Sequence, residues 1–117
     1  MKDDQPVTRR PWGGYTVLAR THDVWVKKLY LQAGHRISLQ RHRLRRELWI
    51  LLWGRVEVQV GSRRWCCLPG ATVQVPRTWC HRLTAVSSAC VLEVASGRVL
   101  EHDIERLADD YGRIALG

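Results

Sequence analysis

The stretch SLQRHRLRRELWILLWG, residues 38–54, decides how the rest of the chain is interpreted. It crowds four arginines into residues 41–46, directly before an apolar run, which at first suggests contact with nucleic acid. Gln40, His42 and Glu47 stand among those arginines at a spacing that suits a metal ion. Gln40 and His42 are two positions apart, so on a strand both side chains leave the same face. The stretch therefore indicates either a basic patch or half of a metal site.

Short apolar runs recur on both sides of this stretch, and turn residues such as Gly and Pro separate them. The run RVEVQV alternates with a period of two, which is typical of a strand with one buried face. Many short strands without helical segments between them predict an all-β sandwich or barrel. One short C-terminal helix is predicted in EHDIERLADDYGR, where the apolar residues follow helical spacing: Ile104, Leu107, Ala108 and Tyr111.

Length and composition limit the function classes. The chain has 117 residues, which predicts one domain over residues 1–117, and its formal net charge is +8, with 16 arginines and 3 lysines. That balance favours anionic partners such as phosphorylated metabolites or nucleic acid. No apolar stretch approaches the ~20 residues of a membrane span, and the four cysteines lack zinc-knuckle spacing. We expect a cytoplasmic protein with buried, reduced thiols.

A second motif supplies the other half of the metal site. The first half reads G-x5-Q-x-H-x4-E-x6-G from Gly34, and the second reads G-x5-P-x4-H from Gly70 to His81. His81 would come from a separate strand and join Gln40, His42 and Glu47. Two imidazoles, a carboxylate and an amide oxygen suit Zn²⁺, Mn²⁺, Co²⁺, Fe²⁺ or Ni²⁺ without selecting one of them. The alternative, four ordinary polar residues, requires four independent coincidences of spacing.

These two motifs resemble those of the cupins, which supply metal ligands from inside a barrel. The pieces RPWGGY, GHRISLQRH, ELW, VPRTWCHRL and DIERLADDYGR resemble, more narrowly, the cupin domain of type II mannose-6-phosphate isomerases. In bifunctional members that domain follows a mannose-1-phosphate guanylyltransferase domain. The resemblance runs from about Arg10 to Arg113. It implies a cupin fold, meaning a double-stranded β-helix or jelly-roll barrel, with Gln40, His42, Glu47 and His81 as metal ligands.

The sequence departs from the family pattern at several positions. Gln40 replaces the usual first histidine of the cupin H-x-H, and Arg43, Leu44 and Leu48 replace further histidines. The presumed ligands are all present, so a bound divalent metal is expected. The replaced histidines are expected to change the cavity entrance and with it the substrate.

The resemblance implies isomerisation of mannose 6-phosphate to fructose 6-phosphate. That reaction moves a proton between adjacent carbons through an enediolate, so it needs charge stabilisation, a base and a cation for the phosphate. Lys27, Arg45 and Arg113 are the candidate catalytic residues. Lys27 shares a strand face with Leu29 and should point inward, although the opposite register would place Lys28 there.

Arg45 lies just before the presumed glutamate ligand and is a candidate to bind the substrate. The alternative is that Arg45 is an exposed loop arginine. Arg113 is expected to fold back over the barrel mouth. The general base stays open among Glu47, Lys27 and a metal-bound water.

Two other functions remain open. One is a metal-binding, sugar-binding cupin without isomerase activity or with a changed substrate. The other is a nucleic-acid module using Arg41, Arg43, Arg45 and Arg46. Alternation disfavours it, because it sends the first two arginines to the face opposite His42 and the last two into a bend. Expected partners are a phosphorylated sugar or related small anion, with no specific nucleic acid and no membrane. Six tryptophans in a small domain predict a homodimer.

Overall fold

The computed structural model describes residues 6–114. Strands are the only regular elements in that part of the chain: β1 Thr8–Arg10, β2 Gly13–Arg20, β3 Val24–Leu31, β4 Leu39–Arg41, β5 Arg45–Trp53, β6 Val56–Val60, β7 Arg63–Cys67, β8 Thr72–Val75, β9 His81–Ala85, β10 Ala89–Gly97 and β11 Glu105–Ala108. The predicted all-β class is confirmed. A membrane-spanning helix is not found between residues 6 and 114.

Two antiparallel sheets enclose the core. The larger sheet has the order β1-β2-β3-β10-β5-β8, and the smaller one has the order β11-β4-β9-β6-β7. The chain changes sheet between β5 and β6 at Gly54, whose φ is +87°. A Cβ there would stand 2.2 Å from the carbonyl oxygen of Ser88, so only glycine fits this close approach.

Alternation of side chains builds the interior of the barrel. On β5, Trp49 and Leu51 point inward, and on β6, Val56 and Val58 do the same. These four side chains are each at most 3% exposed, and they belong to one apolar cluster whose residues come from both sheets. The period of two in the sequence therefore reports the buried face correctly.

The predicted C-terminal helix is wrong. Residues 105–108 form β11, which pairs antiparallel with β4, and no helix follows it up to residue 114. Arg106 is half-buried, whereas Leu107 is 41% exposed, which is the alternation of a strand. The short β4 would otherwise leave its hydrogen-bonding groups unpaired at a sheet edge, and pairing with β11 satisfies them.

Two smaller expectations also fail. Arg45 was expected in a bend, but it begins β5 and is 8% exposed. Burial of all four cysteines is wrong because Cys66 is exposed and Cys80 is half-buried, although all four are free. The surplus of tryptophan does reach the surface, since Trp53 and Trp79 are about half exposed.

Candidate metal centre

Three of the four predicted ligands converge inside the barrel. His42 follows β4, Glu47 lies on β5, and His81 begins β9, so both sheets contribute. Each side chain is almost completely buried, with 1–3% of its surface exposed. One nitrogen or oxygen atom from each lies within 4.8 Å of the others. This spacing allows one cation to contact all three.

The orientation of His42 is set from outside the cluster. Its Nδ1 lies 2.6 Å from the carbonyl oxygen of Asp103, which can only accept, so Nδ1 carries the proton. The carboxylate of Asp103 in turn accepts the backbone N–H groups of Arg43 and Leu44, each at 2.9 Å. Nε2 of His42 is thereby directed at Glu47, with Oε2 at 3.1 Å. A backbone carbonyl on a ligating histidine is the usual way of fixing its tautomer.

His81 presents a nitrogen with no partner. Its Nδ1 lies 3.0 Å from the carbonyl oxygen of Trp79 and donates to it. Its Nε2 is buried without any hydrogen bond and lies 3.7 Å from Oε1 of Glu47. Burial lowers the pKa of His81, which favours the neutral imidazole. A buried neutral nitrogen with a free lone pair is what a divalent metal requires.

Glu47 is held as a carboxylate by its neighbours. Its Oε1 accepts from Nε1 of Trp49 and its Oε2 from Nε of Arg45, both at 3.1 Å. Burial opposes ionisation, but the contacts with His42, His81 and the guanidinium of Arg45 outweigh it. The pKa of Glu47 therefore lies well below its usual range. An ionised carboxylate beside two imidazoles fits a divalent cation.

Gln40 lies beside this cluster on the same face. It is the cross-strand partner of His81, so the two side chains leave the sheet together. Its Oε1 accepts a hydrogen bond from Oγ of Ser38 at 2.8 Å. Its amide oxygen is engaged with Ser38, and its role as a metal ligand stays a prediction.

A cavity of about 130 Å³ opens beside the cluster. Lys27, Arg45 and Arg113, the three predicted catalytic residues, all line it, together with Gln40. The predicted inward register of Lys27 agrees with the structure, because Lys27 is 9% exposed and its Nζ lies 4.4 Å from the ring centres of Tyr15 and Trp25. Burial lowers the pKa of Lys27.

Sequence reasoning missed Glu93, which also lines the cavity. Glu93 is 7% exposed, and burial together with the charge of Glu47 raises its pKa to about 8. The signal in the sequence was a single acid in the run CVLEVASG, on the same strand face as the buried Val91 and Ala95. An unexplained acid on a buried face is a sign of a functional site.

The replaced family histidines lie away from the cavity. Arg43 and Leu44 are exposed, and Leu48 is half-buried on the outer face of the larger sheet, opposite Val94. The cavity lining includes none of the three. The expectation that these replacements change the cavity entrance and the substrate stays a prediction.

Sequence comparison assigns the chain that carries this site to a family. The family described as "Mannose-6-phosphate isomerase C-terminal" matches residues 2–109. The chain belongs to this family. The alginate biosynthesis protein AlgA of Pseudomonas aeruginosa is 36% identical over 91% of the chain and 23% of its own length. A mannose-1-phosphate guanylyltransferase of Sinorhizobium fredii is 32% identical over 90% of the chain and 21% of its own length.

Solved structures agree on the cupin fold. KdgF from a Halomonas species superimposes with a TM-score of 0.76 at 17% identity, over 85% of this chain and 94% of that one. An RmlC-like cupin from Shewanella frigidimarina gives a TM-score of 0.76 at 14% identity, over 86% and 88% of the two chains. These likenesses show the fold of the barrel that holds the cluster. The chain itself spans about a quarter of the length of the curated relatives it matches.

Proposed function

We propose that this domain is a metal-dependent isomerase of a sugar phosphate, converting mannose 6-phosphate to fructose 6-phosphate. The observation that carries the proposal is a buried cluster of three ligand atoms within 4.8 Å of one another, beside a cavity rich in cations. Membership of the mannose-6-phosphate isomerase C-terminal family supports the same substrate class.

The cluster fits a divalent metal. The unpartnered Nε2 of His81 is buried and lies near Glu47, and Nδ1 of His42 is engaged with Asp103, so both imidazoles direct Nε2 towards the carboxylate. His42, Glu47 and His81 would hold the ion, with Gln40 as the fourth candidate. Zn²⁺, Mn²⁺, Co²⁺, Fe²⁺ and Ni²⁺ all suit these ligands. A bound metal supplies stabilisation of the negative charge that develops on the enediolate.

The chain's own residues supply the remaining requirements. Lys27 is proposed to hold or move the proton at its Nζ, because burial favours its neutral form and it lines the cavity. Arg45 donates through its Nε to Glu47 and is proposed to contact the substrate from the cavity wall. Arg113 lines the same cavity and is proposed to contact the substrate there.

One sample tests the proposal. Purified protein is analysed for bound metal and then assayed with mannose 6-phosphate after divalent metals are added. We expect formation of fructose 6-phosphate, and we expect His42→Ala to lose both metal and turnover. His22→Ala removes an exposed histidine and should change neither. Absence of turnover with every metal, in protein that binds metal, would overturn the isomerase and favour a sugar-binding cupin.

We also propose that the domain forms a homodimer in the cytoplasm. The outer face of the larger sheet carries a half-buried apolar strip formed by Leu48, Ile50, Leu92 and Val94. Covering it with a second copy would remove this surface from water. Free cysteines fit a reducing compartment. Light scattering is expected to give twice the mass of one chain, and a monomer would contradict the dimer.

A further inference from the structure

We propose that the phosphate of the substrate is held by Arg106 and Arg10, at the end of the cavity away from the metal centre. Neither arginine belongs to the predicted catalytic set, and both line the cavity. This inference rests on the proposed function, since it takes the same cavity as the substrate site and assigns the direction in which the substrate lies.

Cross-strand pairing sets the distance between the two ends. Arg106 on β11 lies opposite Gln40 on β4, and Gln40 lies opposite His81 on β9. Directly opposed residues point to the same face, so the three side chains form one row across the smaller sheet. Neighbouring strands are ~4.8 Å apart, which places the Arg106 backbone roughly 10 Å from that of His81. The row therefore begins at the metal centre and ends at a guanidinium.

Arg106 has unused hydrogen-bonding capacity. Its Nε is buried and has no hydrogen-bond partner. Within residues 6–114, neither Arg106 nor Arg10 forms an ion pair with a carboxylate. Burial and the charges of Arg113 and Arg10 lower the pKa of Arg106 while the charge of Asp109 raises it, so two other guanidiniums and only one carboxylate act on it. Such a gathering costs free energy unless an anion enters.

The other two arginines of the cavity are already engaged. Arg45 donates to Glu47 and to Nε2 of His42, at 3.1 and 3.2 Å, so it belongs to the metal centre. Arg113 donates twice to the carboxylate of Asp109, at 2.8 and 2.9 Å. Among the cavity arginines of residues 6–114, Arg106 and Arg10 are the two without a carboxylate partner.

The chemistry of a phosphate matches this end of the cavity. A guanidinium forms paired, charge-assisted hydrogen bonds with phosphate oxygens, and two guanidiniums balance a dianion. In a hexose 6-phosphate the reacting carbons and the phosphate lie at opposite ends of the molecule. With the phosphate at Arg106 and Arg10, the carbonyl end is directed along the row towards Gln40 and His81. The unphosphorylated sugar would lose this anchor.

Calorimetric titration of the metal-loaded protein with mannose 6-phosphate, mannose and inorganic phosphate tests the inference. We expect wild type to bind mannose 6-phosphate much more tightly than mannose. Arg106→Gln and Arg10→Gln are each expected to weaken mannose 6-phosphate binding by about tenfold or more. Arg106→Lys should retain part of the affinity, and the metal content of all variants should stay at the wild-type level.

Arg41→Gln is the matched control. Arg41 neighbours Gln40 on β4 but is exposed and paired with Glu105 at 2.9 Å, so its loss removes the same charge outside the cavity. Equal weakening by Arg41→Gln, unchanged binding in Arg106→Gln with a wild-type melting profile, or no preference of wild type for the phosphorylated sugar would each overturn the inference. Binding that depends on Arg106 without turnover would overturn only the isomerase. Turnover with unaltered binding in the Arg106 variants would overturn only the phosphate assignment.

Discussion

Lys27 and Glu93 lie directly opposite each other on β3 and β10, and both point into the barrel. Burial acts against the charged form of each, lowering the pKa of Lys27 and raising that of Glu93 to about 8. Glu93 also lies opposite Trp49, on the strand that carries Glu47. Glu93 therefore lies on the strand between Lys27 and the proposed metal ligand Glu47. A buried acid and base of this kind lower the free energy of unfolding.

Glu93 makes the metal-free protein less stable as the pH rises. A glutamate ionises near 4.5 in the unfolded chain but near 8 in this fold, so between those values the folded state binds more protons. Stability should therefore fall from about pH 4.5 to about pH 8 and lose no more from this group above that range. Urea unfolding in the presence of a chelator measures this slope, and Glu93→Gln should flatten it.

Glu57→Gln is the control for this prediction, because Glu57 is half-buried on β6, between the inward-facing Val56 and Val58. That variant should keep the wild-type slope. An equal slope in wild type and Glu93→Gln would contradict a buried proton at Glu93.

A bound metal ion should stabilise the folded domain, and this effect should depend on His81 as a ligand. An ion that binds only the folded state adds about 3 kcal/mol when the free metal is 100 times its dissociation constant. For a domain of this size that raises the melting temperature by roughly 10 °C. Thermal melts with and without a chelator check the shift. His81→Ala should remove it, His22→Ala should keep it, and a shift that survives in His81→Ala would place the metal elsewhere.

Alternation of apolar residues and the spacing of the motifs were sufficient to predict most of the fold and about half of the site. Burial alternates along β5 from Arg45 to Leu51, which puts Glu47 on the inward face, as its spacing in the motif predicted. The helix predicted in residues 101–113 was wrong because Ile104, Leu107 and Ala108 fit helical spacing in isolation. The segment forms a strand instead because it pairs with the edge of β4, which local sequence does not reveal.

The same limit explains the residues that were missed. Arg106 enters the cavity only because β11 is a strand in register with Gln40. Glu93 could be recognised as an acid on a buried face, but its partner Lys27 is distant in the chain and is brought opposite it by sheet pairing. The register between distant strands cannot be deduced from the local sequence of either strand.

Gly54 should be far less replaceable than Gly70, although both have a positive φ near 90°. An alanine Cβ at position 54 would lie 2.2 Å from the carbonyl oxygen of Ser88 and 2.6 Å from Cα of Ala89, whereas nothing lies within 4 Å at position 70. Gly70→Ala should cost only the left-handed backbone strain, about 1–2 kcal/mol. Gly54→Ala should cost at least about 3 kcal/mol, because backbone must move as well.

Urea unfolding of both variants measures the difference. Equal losses of stability would mean that backbone conformation alone, rather than the close approach to β10, requires glycine at the turn between β5 and β6.

Trp49 should tune the metal site without being a ligand. Its Nε1 donates to Oε1 of Glu47 at 3.1 Å, and its ring meets the edge of His81 with the ring centres 5.5 Å apart. Trp49→Phe keeps most of the apolar contact but leaves a buried carboxylate oxygen without its donor. Partners that orient a ligand commonly contribute about 10–100-fold to metal affinity, so a weakening in that range is expected.

Competition with a chelating dye measures this affinity, and Trp53→Phe is the matched control, since Trp53 ends the same strand and is 48% exposed. That variant should bind metal like wild type. Wild-type affinity in Trp49→Phe would show that Arg45 alone, through its hydrogen bond to Oε2, is sufficient to orient Glu47.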